Sequence, residues 1–157
     1  IMKDSWIIFD LDGTLADIEN RRKLSVKANG KMDWDIFFSS RLVETDEPKE
    51  SVIEMARVLS AAGHKIAILS GRSKATKQVT MDWLDKHEVP FNVLKLRPTS
   101  HPWKFMPDDK LKQGWLDDLW PDDKKDNIVC VFDDRDKVVK MWRENGLNCF
   151  QVAPGDF

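Results

Sequence analysis

Tyrosine is absent from this chain, cysteine occurs twice, histidine three times, and no long apolar run interrupts the polar sequence. Each scarcity excludes something. A membrane-spanning helix needs roughly twenty predominantly apolar residues, and nothing here approaches that. The first apolar stretch, Trp6 to Phe9, leads directly into acidic residues and is too short for the core of a secretory leader, so a cytoplasmic location is expected. Cys130 and Cys149 each sit among apolar neighbours, the setting of buried reduced thiols rather than of a disulfide framework. His64, His87 and His101 are scattered without metal-ligand spacing and read as structural or surface residues. Excess positive charge is also missing: the formal net charge is −2. A protein that holds a long stretch of nucleic acid by charge alone is usually basic, so any nucleic-acid contact should be local, at a chain end or over a few nucleotides. Repeats and low-complexity segments are absent. The seven tryptophans that accompany the lack of tyrosine have no functional explanation in the sequence.

What is present suits one globular domain. The chain has 157 residues, 41% of them apolar and 33% charged, enough for a sizeable core under a solvated surface. Ile1 stands ahead of a Met and reads as a tag remnant, with Met2 the expected start.

Short apolar runs alternate with helical patterns. Trp6–Phe9, Lys65–Leu69, Phe91–Leu96, Ile128–Phe132 and Asn148–Val152 have the length and composition of strands, the last at an edge. Helices are predicted over Pro48–Ala62, with Gly63 as a stop, and over Ser73–His87, Asp108–Leu119 and Asp136–Asn145. The alternation predicts an α/β fold with a doubly wound, mainly parallel five-stranded sheet. Residues 17–47 break the rhythm. They read as a small helical, cap-like insertion after the first strand, with short helices near Asn20–Ala28 and Asp33–Phe38 joined around Gly30.

Reactive residue types sit at the strand ends. In open parallel sheets ligands bind beyond the carboxyl ends of the strands, so Asp10, Asp12, Ser70, Asp133 and Asp134 should converge although they lie far apart in sequence. Asp10 and Asp12 are two residues apart across a turn and can reach one small volume. Up to four carboxylates in that volume, uncompensated, would be strongly unfavourable. A hard divalent cation with oxygen ligands, Mg2+, would neutralise them and keep open positions for a phosphate. One Asp can attack phosphorus to form an aspartyl-phosphate. A second can protonate the leaving oxygen and later activate water. Ser70, the amide of Gly71 and a lysine can hold the phosphoryl oxygens. A lone D-x-D or Asp-Asp pair is often only a turn or a cap; their joint occurrence at successive strand ends is what points to a site.

At these residues the chain resembles the haloacid dehalogenase superfamily of phosphohydrolases. Its first motif appears as Phe9-Asp10-Leu11-Asp12-Gly13-Thr14-Leu15, its second as Leu69-Ser70-Gly71-Arg72, and its acidic fourth as Phe132-Asp133-Asp134-Arg135. The resemblance implies Asp10 as nucleophile, Asp12 as general acid/base, Ser70 and a lysine as phosphate ligands, and Mg2+ held by Asp10, Asp133 and the backbone carbonyl of Asp12. Within the superfamily the chain is similar to the 3′-phosphatase domains of the polynucleotide kinase/phosphatase family known from phage. The similarity is strong at both ends, including Gln151-Val152-Ala153-Pro154-Gly155-Asp156-Phe157, and poor in the insertion and over residues 85–107. It implies two assisting arginines, Arg72 and either Arg21 or Arg22. It also implies an Asp and a Lys four apart, a spacing that Asp108 and Lys112 fit on one face of a helix; Lys104 and Lys110 are rivals for the lysine. The family's phosphate-loop kinase motif G-x-x-x-x-G-K-[ST] does not occur, so kinase activity is not expected, and the chain is either the phosphatase half alone or a free-standing relative. The implied substrate is a 3′-phosphate on a nucleic-acid end or nucleotide, in the host cytoplasm if the source is a phage.

Other readings compete. The same chemistry would serve a 5′-nucleotide or another small phosphate ester. A signalling receiver domain also combines a phosphorylated Asp, an acidic pair, Ser/Thr and Lys, but it places the pair after the first strand and the phosphorylated Asp later, the reverse of the order here. A phosphatase that has lost its chemistry is disfavoured because every required residue type is present. Arg21, Arg22, Lys23 and Lys27 form a basic stripe that is either an ordinary solvated helix face or a guide for a nucleic-acid backbone. His101, Trp103 and Phe105 either pack a loop or stack on a terminal base.

Overall fold

The computed structural model describes residues 4–157, and the expected start at Met2 lies outside the described residues. In chain order the elements are β1 (Trp6–Phe9), β2 (Ala16–Asp17), α1 (Glu19–Ser25), α2 (Trp34–Phe37), α3 (Ser40–Val43), β3 (Glu47–Pro48), α4 (Glu50–Ala61), β4 (Lys65–Ser73), α5 (Lys77–Lys86), β5 (Val93–Arg97), α6 (Asp108–Leu119), α7 (Lys124–Asn127), β6 (Ile128–Asp133), α8 (Asp136–Glu144) and β7 (Cys149–Gln151). Five strands form one sheet in the order β5-β4-β1-β6-β7, and every neighbouring pair is parallel.

Strand periodicity explains the two layers of helices. Alternate residues of a strand face opposite sides of a sheet. Ile7 and Phe9 of β1, with Ile66 and Ile68 of β4, enter one core with Val52, Ile53 and Ala56 of α4 and Trp83 and Leu84 of α5. Ile8, Ala67 and Leu69 face the other side, toward Leu116 of α6 and Val138, Val139, Met141 and Trp142 of α8. The strands are therefore nearly continuous apolar runs, as expected of a parallel sheet covered on both faces.

The chain builds the β4 and β5 side first and then crosses to β6 and β7, so β1 flanks the point where strand order reverses. That geometry opens a crevice at the carboxyl end of β1. The Asp10 amide closes the junction by donating to the carbonyl of Phe132 at 2.9 Å.

Three differences from the sequence expectation have local causes. The second strand runs to Ser73 rather than ending at Leu69, because Ser73 still pairs with Arg97 across an irregularity in the register. The following helix begins at Lys77, after a single 3-10 turn at Lys74–Thr76 capped by the Ser73 hydroxyl. The insertion holds three short helices rather than two, and its base is closed by the antiparallel β2–β3 pair. Two-residue strands carry too little pattern to be read from sequence. Cys130 and Cys149 are buried and unbridged, and burial pushes their thiols up to about 11 and about 12. Among the described residues no helix is long and apolar enough to cross a membrane.

Ile68, fully buried between β1 and β5, tests this core. Ile68→Ala should lower the unfolding free energy by about 2–5 kcal/mol, whereas Val58→Ala on the exposed face of α4 should change it by less than about 1 kcal/mol. Equal urea midpoints for the two variants would contradict the assignment.

Candidate active site

The turn after β1 presents two carboxylates to two different environments. The Leu11 carbonyl accepts hydrogen bonds from the amides of Thr14, Leu15 and Ala16, which winds residues 11–16 into a tight loop. Gly13 makes the loop possible. Its φ is +84°, and a Cβ there would collide with the Asp134 carboxylate.

Asp10, 6% exposed, faces the acidic end of β6. Lys112 reaches from α6 and donates to Asp10 Oδ1 at 2.8 Å and to Asp133 Oδ2 at 3.1 Å. Of the three candidate lysines, only Lys112 is buried here; Lys104 lies over the Phe105 ring and Lys110 is exposed. The Thr14 hydroxyl lies 3.2 Å from Asp10 Oδ2 and 3.3 Å from Asp134 Oδ1. Asp133 is fixed by the Trp142 indole, which donates to Oδ2 at 3.0 Å, and by the amide of Asp134 at Oδ1. Burial, and then the neighbouring charge of Asp133, pushes the Asp10 carboxyl well above its usual range. Burial also raises Asp134. Lys112 is raised despite its burial, because Asp10 and Asp133 hold its proton.

Asp12 experiences the opposite. Burial alone would raise its carboxyl, but the Arg72 and Arg21 guanidiniums overcome that and hold it below its usual range. Arg21 donates to Asp12 Oδ1 at 2.8 Å and Arg72 donates to the same oxygen. Both arginines are buried, so Arg21 leaves the basic stripe that α1 was expected to present; Arg22, Lys23 and Lys27 remain accessible. Periodicity alone did not show that one member of the stripe turns inward.

The residue that turns it inward is Asp46, which sequence reasoning missed. Asp46 accepts from Arg21 Nε at 3.1 Å and from Arg21 Nη2 at 2.7 Å, a bidentate pair, and from Arg72 at 3.3 Å. Arg21 also lies 4.4 Å from the centre of the Phe37 ring, and Trp83 donates to the Asp46 backbone carbonyl at 2.8 Å. Burial pushes the Asp46 carboxyl up, and Arg21 offsets part of that. No motif marks Asp46; its only signal in the sequence is an acid at the far end of an insertion that begins with arginines.

The remaining expected residues form the surround. Ser70 is buried on β4, where its hydroxyl accepts from the Arg72 amide at 3.1 Å. Gly71 packs against Asp108, leaving no room for a Cβ, and its carbonyl accepts from Arg97 at 3.0 Å. Asp108 is held by Arg97 on one oxygen and by Arg135 on the other, the latter at 2.8 Å. Two surface depressions, of about 430 and 460 Å³, run along α8 and residues 151–156 and miss the carboxylates.

Asp46→Ala should destabilise the protein by about 3–5 kcal/mol, because it strands buried guanidinium charge. Glu54→Ala, which removes an exposed partner of Arg57, should cost no more than about 1 kcal/mol. Denaturant titration of the two variants checks the difference.

Comparison with known proteins agrees with this geometry. Residues 4–157 match the family described as the polynucleotide kinase PNKP phosphatase domain. A protein of Autographa californica nuclear polyhedrosis virus, provisionally named a bifunctional polynucleotide kinase/RNA ligase, is 29% identical over 141 residues; the match covers 88% of this chain and 18% of that protein. A chain in the structure of a Pnkp1/Rnl/Hen1 complex is 28% identical with a TM-score of 0.75, covering 98% of this chain and 47% of that one. The class C acid phosphatase of Bacillus anthracis shares the fold, at 19% identity and a TM-score of 0.68, covering 99% of this chain and 68% of that one. The chain thus spans less than a fifth of the viral relative and about half of the complex component. With a sheet of haloacid dehalogenase type and a family match over nearly its whole length, the chain belongs to the phosphatase-domain family of the polynucleotide kinase/phosphatases and is a phosphoric monoester hydrolase.

Proposed function

We propose that the chain removes 3′-phosphates from nucleic-acid ends or nucleotides through an aspartyl-phosphate on Asp10. One observation carries the mechanism: Asp10 and Asp12 leave one tight turn toward different partners, Asp10 toward Lys112 and the acidic end of β6 and Asp12 toward Arg21 and Arg72. The separate surroundings allow the two carboxylates separate roles, nucleophile and acid/base.

In the first half-reaction an Asp10 carboxylate oxygen attacks phosphorus and the bond to the 3′-oxygen breaks. Asp12 gives its proton to that oxygen. The flanking arginines favour the Asp12 carboxylate, the form that acts as base in the second half-reaction. In the second half-reaction Asp12 takes a proton from water, the resulting hydroxide attacks phosphorus, and Asp10 is released with inorganic phosphate. Lys112 and Ser70 are placed to hold phosphoryl oxygens, while Asp46 positions Arg21 and Arg72.

The donor set fits Mg2+. Asp10, Asp133 and Asp134 offer carboxylate oxygens within 4.8 Å of one another, and oxygen-only donors suit a hard cation. Both arginines donate to Oδ1 of Asp12, which leaves Oδ2 for proton transfer; the backbone carbonyl of Asp12 is the metal ligand that the family resemblance implies. When bound, the ion supplies charge neutralisation for the phosphate and the acidic cluster.

Family membership supports the nucleic-acid substrate, as does the likeness to a component of a structure described as an RNA repair complex, 29% identical with a TM-score of 0.75. Initial rates on a substrate panel test it. A 3′-phosphorylated oligonucleotide should be turned over faster than 5′-nucleotides or sugar phosphates, and all turnover should stop in excess chelator and return with Mg2+. The reverse order of substrates would favour the 5′-nucleotidase reading.

Asp10→Asn keeps the side-chain shape and removes the nucleophile. It should abolish turnover of every substrate while the thermal transition stays close to wild type. Activity within about tenfold of wild type would exclude Asp10 as nucleophile, since loss of a group acting in the transition state lowers kcat far more. Asp133→Asn should instead raise the Mg2+ concentration needed for half-maximal rate.

A further inference from the structure

We infer that Phe157, with Arg22 and Arg135 against it, forms a stacking platform for the base of the nucleotide that carries the scissile phosphate. The inference rests on the reading of the substrate as a nucleic-acid 3′ end.

Residues 152–157 have no regular secondary structure, and such a segment at the end of a domain usually frays. This one is pinned. Gly155 is buried against the backbone of Asp134, so closely that a Cβ would not fit, and its carbonyl accepts from the Asp136 amide at 2.8 Å. The Phe157 carbonyl accepts from Arg135 Nε at 2.8 Å. Phe157 is nevertheless 50% exposed as a residue, with Arg22 at 4.8 Å and Arg135 at 5.3 Å from the centre of its ring.

Its two cationic neighbours place this ring at the rim of the catalytic cluster. Arg22 follows Arg21, which holds Asp12. Arg135 follows the acidic pair, and its own amide lies 3.4 Å from Asp133 Oδ1. The ring therefore bridges the insertion and the acidic loop from outside. Arg22 has one weak, exposed ion pair, 3.8 Å from Glu19, so its charge is available to a backbone phosphate. Aromatic and guanidinium planes stack on bases irrespective of sequence. A platform of three side chains also suits a protein of net charge −2, which can grip only the last nucleotides of a strand. Of the other exposed aromatics, Trp34, Trp103, Phe105 and Phe150, Trp103 reaches the site through its carbonyl on Arg97, which pairs with Asp108.

Steady-state kinetics of Phe157→Ala on two substrates test the platform. With a single-stranded 3′-phosphorylated oligonucleotide, KM should rise about tenfold with kcat within about twofold, the scale of one lost stacked base. With p-nitrophenyl phosphate, which brings no base, kcat/KM should stay within about twofold of wild type. Phe157→Trp should restore the oligonucleotide KM, and Phe157→Leu, which keeps apolar packing without a ring, should not. An oligonucleotide with an abasic 3′-terminal nucleotide should bind wild type as weakly as the intact one binds Phe157→Ala, with no further loss in the variant. An unchanged oligonucleotide KM, or equal losses on both substrates, would overturn the platform and leave the 3′-end reading standing. Wild-type turnover of p-nitrophenyl phosphate without turnover of the oligonucleotide would instead remove the 3′-end reading, and the platform with it.

Discussion

Buried charge organises this molecule. Around the carboxyl end of β1, the carboxylates of Asp10, Asp12, Asp46, Asp133 and Asp134 face the cations of Arg21, Arg72 and Lys112, almost all of them buried. Such a cluster is costly to desolvate and is tolerated only when each member is paired. Two negative charges remain without a protein counterpart, the deficit that a divalent cation would fill. The core on either side of the sheet keeps water away and makes the pairing obligatory.

The pairing divides the cluster into two halves along the chain. Asp10, Lys112, Asp133 and Asp134 belong to β1, α6 and the end of β6, all parts of the sheet-and-helix frame. Asp12, Arg21, Asp46 and Arg72 join the turn, both ends of the insertion and β4. The first half has surplus negative charge and the second is balanced by its arginines. This asymmetry lets two aspartates in one loop differ in basicity without any difference in chemical identity.

Much of this was legible in the sequence, for identifiable reasons. The strands that carry Asp10, Ser70 and Asp133 are apolar runs bounded by turn residues, and parallel strands must bring their carboxyl ends together. Asp108 and Lys112 were reached through the family resemblance, whose Asp-Lys spacing of four they fit on one helix face. What escaped was set by tertiary contact alone. Arg21 and Arg22 look equivalent in sequence; only the packing of α1 against Phe37 and Asp46 makes one fully buried and leaves the other half-buried. Asp46 belongs to no motif, and the β2–β3 pair is too short to leave a periodic signal. The continuation of β4 through Ser70–Ser73 was hidden because a Ser-Gly pair normally signals a turn, whereas here the glycine is needed for its lack of side chain beside Asp108.

The closure at the base of the insertion separates two kinds of change. Ala16–Asp17 pairs with Glu47–Pro48, and Arg21 is bound to Asp46, so the segment is stapled where it leaves the frame and where it returns. Residues between the staples contribute to the rim but not to the clamp itself, apart from Phe37 beneath Arg21. Length and composition in that stretch can therefore vary while the acid/base apparatus keeps its geometry. The insertion is in this sense an exchangeable collar, through which one hydrolytic centre can be fitted to differently shaped phosphate esters.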